Sequence, residues 1–219
     1  MTGPAIRVLL ADDHAAIRAG LCLMLEQAAD IVVVGEAADG AIAIRQAAAL
    51  RPDVVLMDIR MPGTDGIAAT RAITSAGMAD VLILTTFDVD EYLFGALRAG
   101  AAGFLLKSVE PAALVEAVRR VAAGDGVIAP EVTRRLLAVF AATEPRPAAA
   151  RGHPSLDSLT GREREVLAAL GRGLSNADLA ATFAISEATA KTHVSRVLAK
   201  LGCTSRLQAA ILAKETGIA

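Results

Sequence analysis

The sequence predicts a doubly wound α/β domain with a five-stranded parallel sheet, followed by a small all-α domain of four helices. Three observations predict this order. Short apolar strand patterns alternate with Ala-rich segments of helical period in the first half of the chain. Hydrophobic residues make up 54% of the chain but aromatic residues only 3%, which favours an aliphatic core of parallel strands covered on both faces. After a proline-rich segment, only helical patterns remain.

The predicted strands are short β-branched or Leu-rich segments, at residues 6–10, 31–34, 54–57, 81–84 and 103–106. The predicted helices of the same domain cover residues 15–27, 40–50, 66–75, 91–99 and 111–123. Strands that alternate with helices form parallel sheets through right-handed crossovers. In such sheets functional groups collect beyond the carboxyl ends of the strands, and we therefore look for a site there.

The middle of the chain predicts a helical extension and a linker. Residues 131–142 have a helical pattern, and residues 143–155 contain three prolines and a glycine in low-complexity sequence. We therefore divide the chain into an α/β domain at 1–125, an extension and linker at 126–155, and a helical domain at 156–219.

Capping residues define the four helices of the last domain. Thr160 and Glu163 form a capping box that begins a helix ending near residue 171. Ser175 begins a short second helix, and Ser186 begins a third that runs to residue 201, where Gly202 ends it. Residues 205–215 predict the fourth helix.

Charge and cysteine content bound the function. Residues 1–129 carry a net charge of −6, whereas residues 130–155 and 156–219 each carry +2, which suggests different partners for the two halves. We expect Cys22 and Cys203 to be small core residues, because they fit neither a disulfide framework nor a zinc site. No apolar segment is long enough for a membrane span. We expect a cytoplasmic protein without membrane association.

Five polar residues follow apolar strands at one predicted edge of the sheet: Asp12, Asp13, Asp58, Thr85 and Lys107. Crowded carboxylates favour a divalent cation, and an all-oxygen ligand set suits Mg²⁺. A metal placed there would hold a phosphoryl group against a carboxylate nucleophile, which gives an acyl phosphate. Lysine would pair with the charge, and the threonine hydroxyl would donate to a phosphoryl oxygen.

Taken singly, each of these residues also fits an ordinary structural role. An Asp at a strand-to-helix junction is often only an N-cap, and His14 beside the acids is given no metal role. A phosphohydrolase with an aspartate nucleophile is an alternative function for the set. Such enzymes usually carry an Asp-x-Asp pattern after the first strand, whereas Asp12 and Asp13 are adjacent. We therefore expect a protein that is not an enzyme.

The motifs VLLADDHAAIRAGL, VVLMDIRMPGTDG, VLILTTF and GAAGFLLK resemble the flavodoxin-like receiver domain of two-component response regulators, over residues 5 to about 125. The resemblance implies that Asp58 is the phosphoacceptor and that Asp12, Asp13 and Asp58, with the backbone carbonyl of Arg60, hold Mg²⁺. The same resemblance implies a switch hydroxyl, a switch aromatic residue and a phosphate-pairing lysine, here Thr85, Phe104 and Lys107. Thr86 competes for the hydroxyl role, but the spacing to the lysine favours Thr85. A core position is the alternative for Phe104.

The third helix of the last domain has two different faces. Its apolar face is formed by Ala190, Val194, Val197, Leu198 and Leu201 at helical spacing. Its opposite face is small and polar with lysines at both edges. Short side chains allow a helix to approach the major groove, and basic ones meet phosphates. A solvated surface is the alternative for this face.

The sequence LTGREREVLAALGRGLSNADLAATFAISEATAKTHVSRVLAKLG resembles the helix-turn-helix domain of the LuxR/NarL class over residues 156–215. This implies contacts to bases or backbone from Lys191, Thr192 and Ser195, and phosphate contacts from Thr189, His193, Arg196 and Lys200. His193 has helix packing as its alternative role. The fourth helix resembles the dimerisation helix of that class, with Leu207, Ala210, Ile211 and Lys214, although its apolar stripe also serves to close a small domain.

Together these features predict a DNA-binding response regulator of the NarL/FixJ type. A sensor histidine kinase would phosphorylate Asp58, which would switch dimerisation and binding to DNA half-sites. The alternative is a constitutive or ligand-sensing regulator whose first domain is a dimerisation module.

Overall fold

A computed structural model describes residues 4–85, 90–128 and 156–219, with the side chains of residues 90 and 91 left out of account. The predicted helix at 131–142, the linker at 143–155 and Thr86 lie outside these described residues. The division of the chain at residues 125 and 155 therefore stays a prediction.

The first domain contains a single parallel sheet. Its strands are β1 (Ile6–Ala11), β2 (Ile31–Ala37), β3 (Val54–Asp58), β4 (Asp80–Thr85), β5 (Gly103–Leu106) and β6 (Val127–Ile128). Their order is β2-β1-β3-β4-β5-β6, and every neighbouring pair is parallel. The doubly wound class and all five predicted strands are confirmed.

The predicted number of strands is wrong, because the sheet has a sixth strand. The chain turns at Gly124, whose φ is +81°, and β6 then pairs with β5 through Gly103–Val127 and Phe104–Ile128. Two residues are too few to show any periodicity, and only the tertiary pairing reveals them as a strand.

Five helices surround this sheet: α1 (Ala15–Leu25), α2 (Gly40–Leu50), α3 (Gly66–Ser75), α4 (Asp90–Arg98) and α5 (Pro111–Ala122). Asp39 and Asp65 cap α2 and α3 by accepting hydrogen bonds from the backbone N–H groups of Ile42 and Ala68 at 2.7 Å each. The interior strand positions are completely buried, as at Val8, Leu9 and Ile83 with 0% exposure. Burial on both faces explains why these strands read as continuous apolar runs.

The second domain contains a short 3₁₀ turn (Leu156–Ser158) and the helices α6 (Gly161–Gly171), α7 (Asn176–Phe183), α8 (Glu187–Leu201) and α9 (Arg206–Glu215). The predicted capping box of Thr160 and Glu163 is present, and Ser175 forms a second one with Asp178. The four predicted helices are confirmed, and the described residues hold nine α-helices in total. Among the described helices, each is too short or too polar to cross a lipid bilayer.

Candidate functional site

The polar residues predicted at the sheet edge do converge. Asp12 follows β1, Asp58 is the last residue of β3, Thr85 is the last residue of β4, and Lys107 directly follows β5. The backbone N–H of Lys107 donates to the Thr85 carbonyl at 2.8 Å, which joins two of these strand ends. Asp12, Asp58 and Thr85 are 1%, 6% and 6% exposed. Parallel strands bring these residues together because their carboxyl ends share one edge.

Lys107 links the two buried carboxylates. Its Nζ lies 2.6 Å from Oδ2 of Asp12 and 2.8 Å from Oδ2 of Asp58. Burial raises the pKa of Asp58, and the Lys107 hydrogen bond offsets only part of that rise. Burial acts to lower the pKa of Lys107, but its hydrogen bonds to Asp12 and Asp58 raise it overall. The ammonium group therefore stays charged, and it favours the ionised form of Asp58.

A close backbone approach supports the Asp58 end of the site. The N–H of Gly66 donates to the carbonyl of Ile59 at 2.9 Å. A Cβ at position 66 would lie 1.9 Å from the carbonyl oxygen of Asp58, so only glycine fits there. The turn between β3 and α3 thereby fixes the backbone that carries Asp58.

The carboxylates beside Asp58 form a candidate cation site. Oxygens of Asp12 and Asp13 and the Nδ1 of His14 all lie within 4.8 Å of one another. The His14 Nδ1 is 2.6 Å from Oδ1 of Asp13, and the His14 backbone N–H donates to Oδ1 of Asp12 at 2.9 Å. A hard, oxygen-rich donor set at a mouth that stays partly open fits Mg²⁺. The described contacts do not test the predicted role of the Arg60 carbonyl.

The two predicted switch residues are both buried. Phe104 is 0% exposed in β5, where it pairs with Ile83 on one side and Ile128 on the other. The structure thus places Phe104 in the core, which was the alternative assignment from the sequence. Thr85 lies one residue beyond the Leu84 that pairs with Asp58, at the rim of the carboxylate site. The switch role of each stays a prediction.

The helix α8 presents the predicted pair of faces. Ala190, Val194, Val197 and Leu201 are buried, while Thr189, Lys191, Thr192, Ser195 and Arg196 are exposed. His193 is partly exposed. The hydroxyl of Thr192 already donates to the Ala188 carbonyl at 2.9 Å, which leaves its oxygen to accept. In front of α8, Ala184 adopts φ +52° and ends α7, which sets the turn between the two helices.

Lys200 differs from the other predicted DNA-binding residues. Its Nζ lies 2.7 Å from Oε2 of Glu163 and 3.2 Å from the carbonyl oxygen of Ser158. Hydrogen bonds from Lys200 and from the Thr160 backbone lower the pKa of Glu163 to about 2. Lys200 therefore holds α8 against the start of α6, and a phosphate contact would compete with that pairing.

Comparison with known proteins identifies the families of the two domains. Residues 8–119 match the family described as response regulator receiver domain, and residues 157–213 match the bacterial regulatory proteins of the luxR family. The chain is a response regulator of the NarL/LuxR family. It is thus a DNA-binding regulator of the two-component type, with a receiver domain that carries the carboxylate site and a DNA-binding domain that carries α8.

Relatives match this response regulator over nearly its whole length. The uncharacterized transcriptional regulatory protein YxjL of Bacillus subtilis is 40% identical, over 100% of this chain and 99% of its own. The DNA-binding transcriptional activator DevR/DosR of Mycobacterium tuberculosis is 39% identical, over 96% and 94%. The crystal structure of ChrA, described as a response regulator in a heme-sensing two-component system, has 43% identity and a TM-score of 0.56, with 99% and 100% coverage.

The two domains of the response regulator are joined by polar contacts that the sequence did not predict. Arg206, at the start of α9, is only 9% exposed. Its guanidinium donates to the Gly124 carbonyl at 2.8 Å and to Oδ1 of Asp125 at 2.6 Å, both in the receiver domain. It also donates to the Leu174 carbonyl at 2.6 Å within its own domain. One buried arginine therefore ties the turn after α5 to the DNA-binding domain.

Two further side chains cross the same interface. The backbone N–H of Asn176 donates to Oδ1 of Asp125, and its side-chain amide donates to the carbonyl of Ala123, both at 3.1 Å. The amide of Gln208 donates to the carbonyls of Leu97 and Arg98, at 3.1 and 2.9 Å, at the end of α4. In a sequence, a polar residue near the start of a helix is typical of a surface or capping position. The sequence therefore did not predict that these residues form an interface.

The predicted dimerisation residues of α9 divide between two environments. Leu207 and Ile211 pack against the receiver core, whereas Lys214 is exposed and Ala210 is partly exposed. On the receiver side, Gly100 approaches so closely that an added Cβ would meet the Thr204 hydroxyl at 2.0 Å. In this arrangement α9 thus covers the receiver rather than a second copy of the chain.

A cavity of about 310 Å³ lies between the domains. The end of α5 and the start of β4 line it on the receiver side, and Lys191 and Ser195 of α8 line it on the other. The side of α8 that is predicted to face DNA therefore borders the receiver domain. The structure consequently shows the response regulator with its domains closed on each other.

Proposed function

We propose that this response regulator accepts a phosphoryl group on Asp58 and that the modified receiver controls DNA binding by α8. The observation that supports this most strongly is the pair of short contacts from Lys107 to Asp12 and Asp58. A lysine shared by two buried carboxylates holds one of them ionised for attack and is ready to pair with a new phosphoryl charge.

In the proposed reaction an oxygen of Asp58 attacks the phosphorus of a phosphohistidine on a sensor kinase. The P–O bond forms as the P–N bond breaks, and the leaving imidazole takes up a proton from solvent. Asp12 and Asp13, with the Arg60 carbonyl, would hold Mg²⁺, which supplies positive charge to the phosphoryl oxygens when bound. Lys107 neutralises the product, and Thr85 at the rim of the site donates a hydrogen bond to it.

The response would reach the DNA-binding domain through α4 and the interface. The site lies at the ends of β4 and β5, and α4 lies between these strands in the chain. Gln208 of the DNA-binding domain holds the last turn of α4 through two carbonyls. A shift of α4 on phosphorylation would weaken that contact and favour separation of the domains.

Separation has two consequences in this proposal. It moves the receiver away from the exposed polar side of α8, which must enter a major groove about 12 Å wide. It also frees Leu207 and Ile211 of α9 from the receiver, so that two copies of the chain can pair with Ala210 and Lys214 at the same face and occupy two half-sites. The proposed base and backbone contacts come from Lys191, Thr192 and Ser195, and the phosphate contacts from Thr189, His193 and Arg196. The protein would act in the cytoplasm without catalysing turnover of a separate substrate.

Labelling with acetyl phosphate tests the acceptor. We expect Asp58→Asn to abolish labelling, whereas Asp30→Asn, a partly exposed carboxylate paired with Arg119 at the start of β2, keeps it. Label that persists on the Asp58→Asn chain would refute the assignment.

DNA footprinting with and without the phosphodonor then separates the switch from the constitutive alternative. We expect protection at lower protein concentration after phosphorylation. Equal affinity in both states would favour a constitutive or ligand-sensing regulator whose receiver serves only dimerisation.

A further inference from the structure

The side chain of Asp80 lies at the interdomain cavity. Asp80 is the first residue of β4, at the end of the sheet opposite to Asp58, and its side chain lines the cavity with Lys191 and Ser195 of α8. Within the described residues, no hydrogen bond or ion pair reaches its carboxylate. Asp80 is only partly exposed, and a carboxylate that loses hydration without gaining a partner costs free energy when it is charged.

Three other charged side chains line the cavity with Asp80, namely Arg206, Asp125 and Lys191. The guanidinium of Arg206, in α9, donates to the carbonyls of Gly124 and Leu174 and to the carboxylate of Asp125. Asp125, beyond α5, is its ion-pair partner at 2.6 Å. Lys191 of α8 is exposed at the cavity, and it does not contribute to the titration of Asp80.

On the strand side, Asp53 precedes β3. Its carboxylate accepts a hydrogen bond from the backbone N–H of Arg7 at 2.8 Å, while its carbonyl accepts one from the N–H of Asp80 at 3.1 Å. Burial alone raises the pKa of Asp80 to about 6. Within the parts of the chain that the structure describes, no ion pair therefore compensates the burial of this carboxylate in the closed state.

We propose that closure of the two domains is sensitive to pH through Asp80, with the charged carboxylate favouring the open form and acidification favouring the closed form. The inference rests on the proposed function only in taking α8 as the DNA-contacting helix. When the domains separate, the carboxylate returns to water and regains an ordinary aspartate pKa. The closed form then binds a proton more tightly than the open form, so it gains stability as the pH falls through 6.

The size of the effect follows from the two pKa values. With values near 6 closed and near 4 open, the ratio of closed to open chains rises by about tenfold between pH 7.5 and pH 5. Removing the charge permanently by substitution also favours the closed form, and at neutral pH its effect is larger than that of acidification. We therefore expect Asp80→Asn to weaken DNA binding of the unphosphorylated chain at pH 7.5 by about ten- to a hundredfold.

The test measures shape and DNA affinity separately on the full-length, unphosphorylated protein. Small-angle X-ray scattering between pH 5 and 7.5 reports closure directly. We expect the wild type to become more compact as the pH falls, Asp80→Asn to be compact throughout, and the control Asp30→Asn to follow the wild type. DNA affinity is read as the ratio of wild type to Asp80→Asn at each pH, because any pH dependence of the DNA contacts themselves is common to both proteins and cancels in the ratio.

Each other outcome overturns the proposal in a recognisable way. A wild-type pH profile retained in Asp80→Asn would exclude Asp80 as the titrating group. A more open Asp80→Asn chain would mean that Asp80 instead pairs with Lys191 and holds the domains together. If Asp80→Asn folds poorly, a ¹³C NMR titration of the native Asp80 side chain gives a second test. The pKa of Asp80 must fall in Asp125→Ala, where an interface contact is lost, and an unchanged pKa would refute the idea. If every form failed to bind DNA while the scattering profile changed as expected, the proposed function would fail and this inference would stand.

Discussion

Replacing Arg206 by Ala is the most direct perturbation of the closed arrangement. Arg206→Ala removes two hydrogen bonds that cross to the receiver, to the Gly124 carbonyl and to Asp125, at 2.8 and 2.6 Å. Hydrogen bonds that involve a charged group contribute about 1.5–3 kcal/mol each. Asp125 keeps its hydrogen bond from the Asn176 N–H, and water will partly replace the arginine. We therefore take the low end, about 3 kcal/mol for both bonds together.

A loss of about 3 kcal/mol shifts the balance from closed to open chains by about a hundredfold. The expected result is unphosphorylated protein that is predominantly open, with a larger radius of gyration, and that binds DNA more tightly than the wild type by a factor limited by the wild-type open fraction. Fluorescence anisotropy on an operator fragment measures the DNA affinity and small-angle scattering the radius of gyration. The gain saturates once the open form predominates, and phosphorylation of the variant then adds little.

The bond from Arg206 to the Leu174 carbonyl lies within the DNA-binding domain, so Arg206→Ala also weakens that domain in both states. Asp125→Ala removes the receiver half of the pair and leaves the domain intact. If the pair acts as a unit, the double variant will be no more open than either single one. Arg164→Ala is the matched control, because its guanidinium donates to the Leu156 carbonyl in the same domain at 3.0 Å. Unchanged DNA affinity in Arg206→Ala and Asp125→Ala alike would refute the reasoning.

Three further predictions concern the two domains separately. Gly66→Ala places a Cβ 1.9 Å from the Asp58 carbonyl oxygen and will lower the free energy of unfolding in urea by about 2–3 kcal/mol. Gly20→Ala in α1 has open space and will raise it by about 0.5–1 kcal/mol, so equal effects would contradict the packing argument. Lys107→Ala removes the group that opposes the burial-raised pKa of Asp58, so acetyl phosphate labelling will fall and its pH midpoint will rise; an unmoved midpoint would contradict this. The pKa of Glu163 is lowered to about 2, so its contribution to stability is present above about pH 4.5 and is lost as the pH falls through 2. Glu163→Gln will therefore flatten that part of the dependence of melting temperature on pH. A pH dependence parallel to that of the wild type would argue against the pairing of Glu163 with Lys200.

The sequence determined most of the receiver fold and its carboxylate site. Apolar runs of strand length with helical segments between them define a parallel sheet, and parallel strands bring their ends to one edge. The convergence of Asp12, Asp58, Thr85 and Lys107 follows from that rule alone. The helices of the DNA-binding domain were equally predictable, because caps such as Thr160 and Ser186 act within four residues of the chain. The buried face of α8 was predicted from the helical spacing of its apolar residues.

Tertiary structure decided what local patterns do not encode. Strand β6 has two residues and exists only through its pairing with β5. The closed arrangement depends on contacts between residues far apart in the chain, such as Arg206 with Asp125 and Gln208 with Leu97, and each of these polar side chains reads in sequence as ordinary surface. Asp80 is likewise an unremarkable strand start until the second domain encloses it. Periodicity and capping report the energy of neighbours along the chain, whereas burial of a charge between two domains depends on which surfaces meet, and only the folded chain determines that.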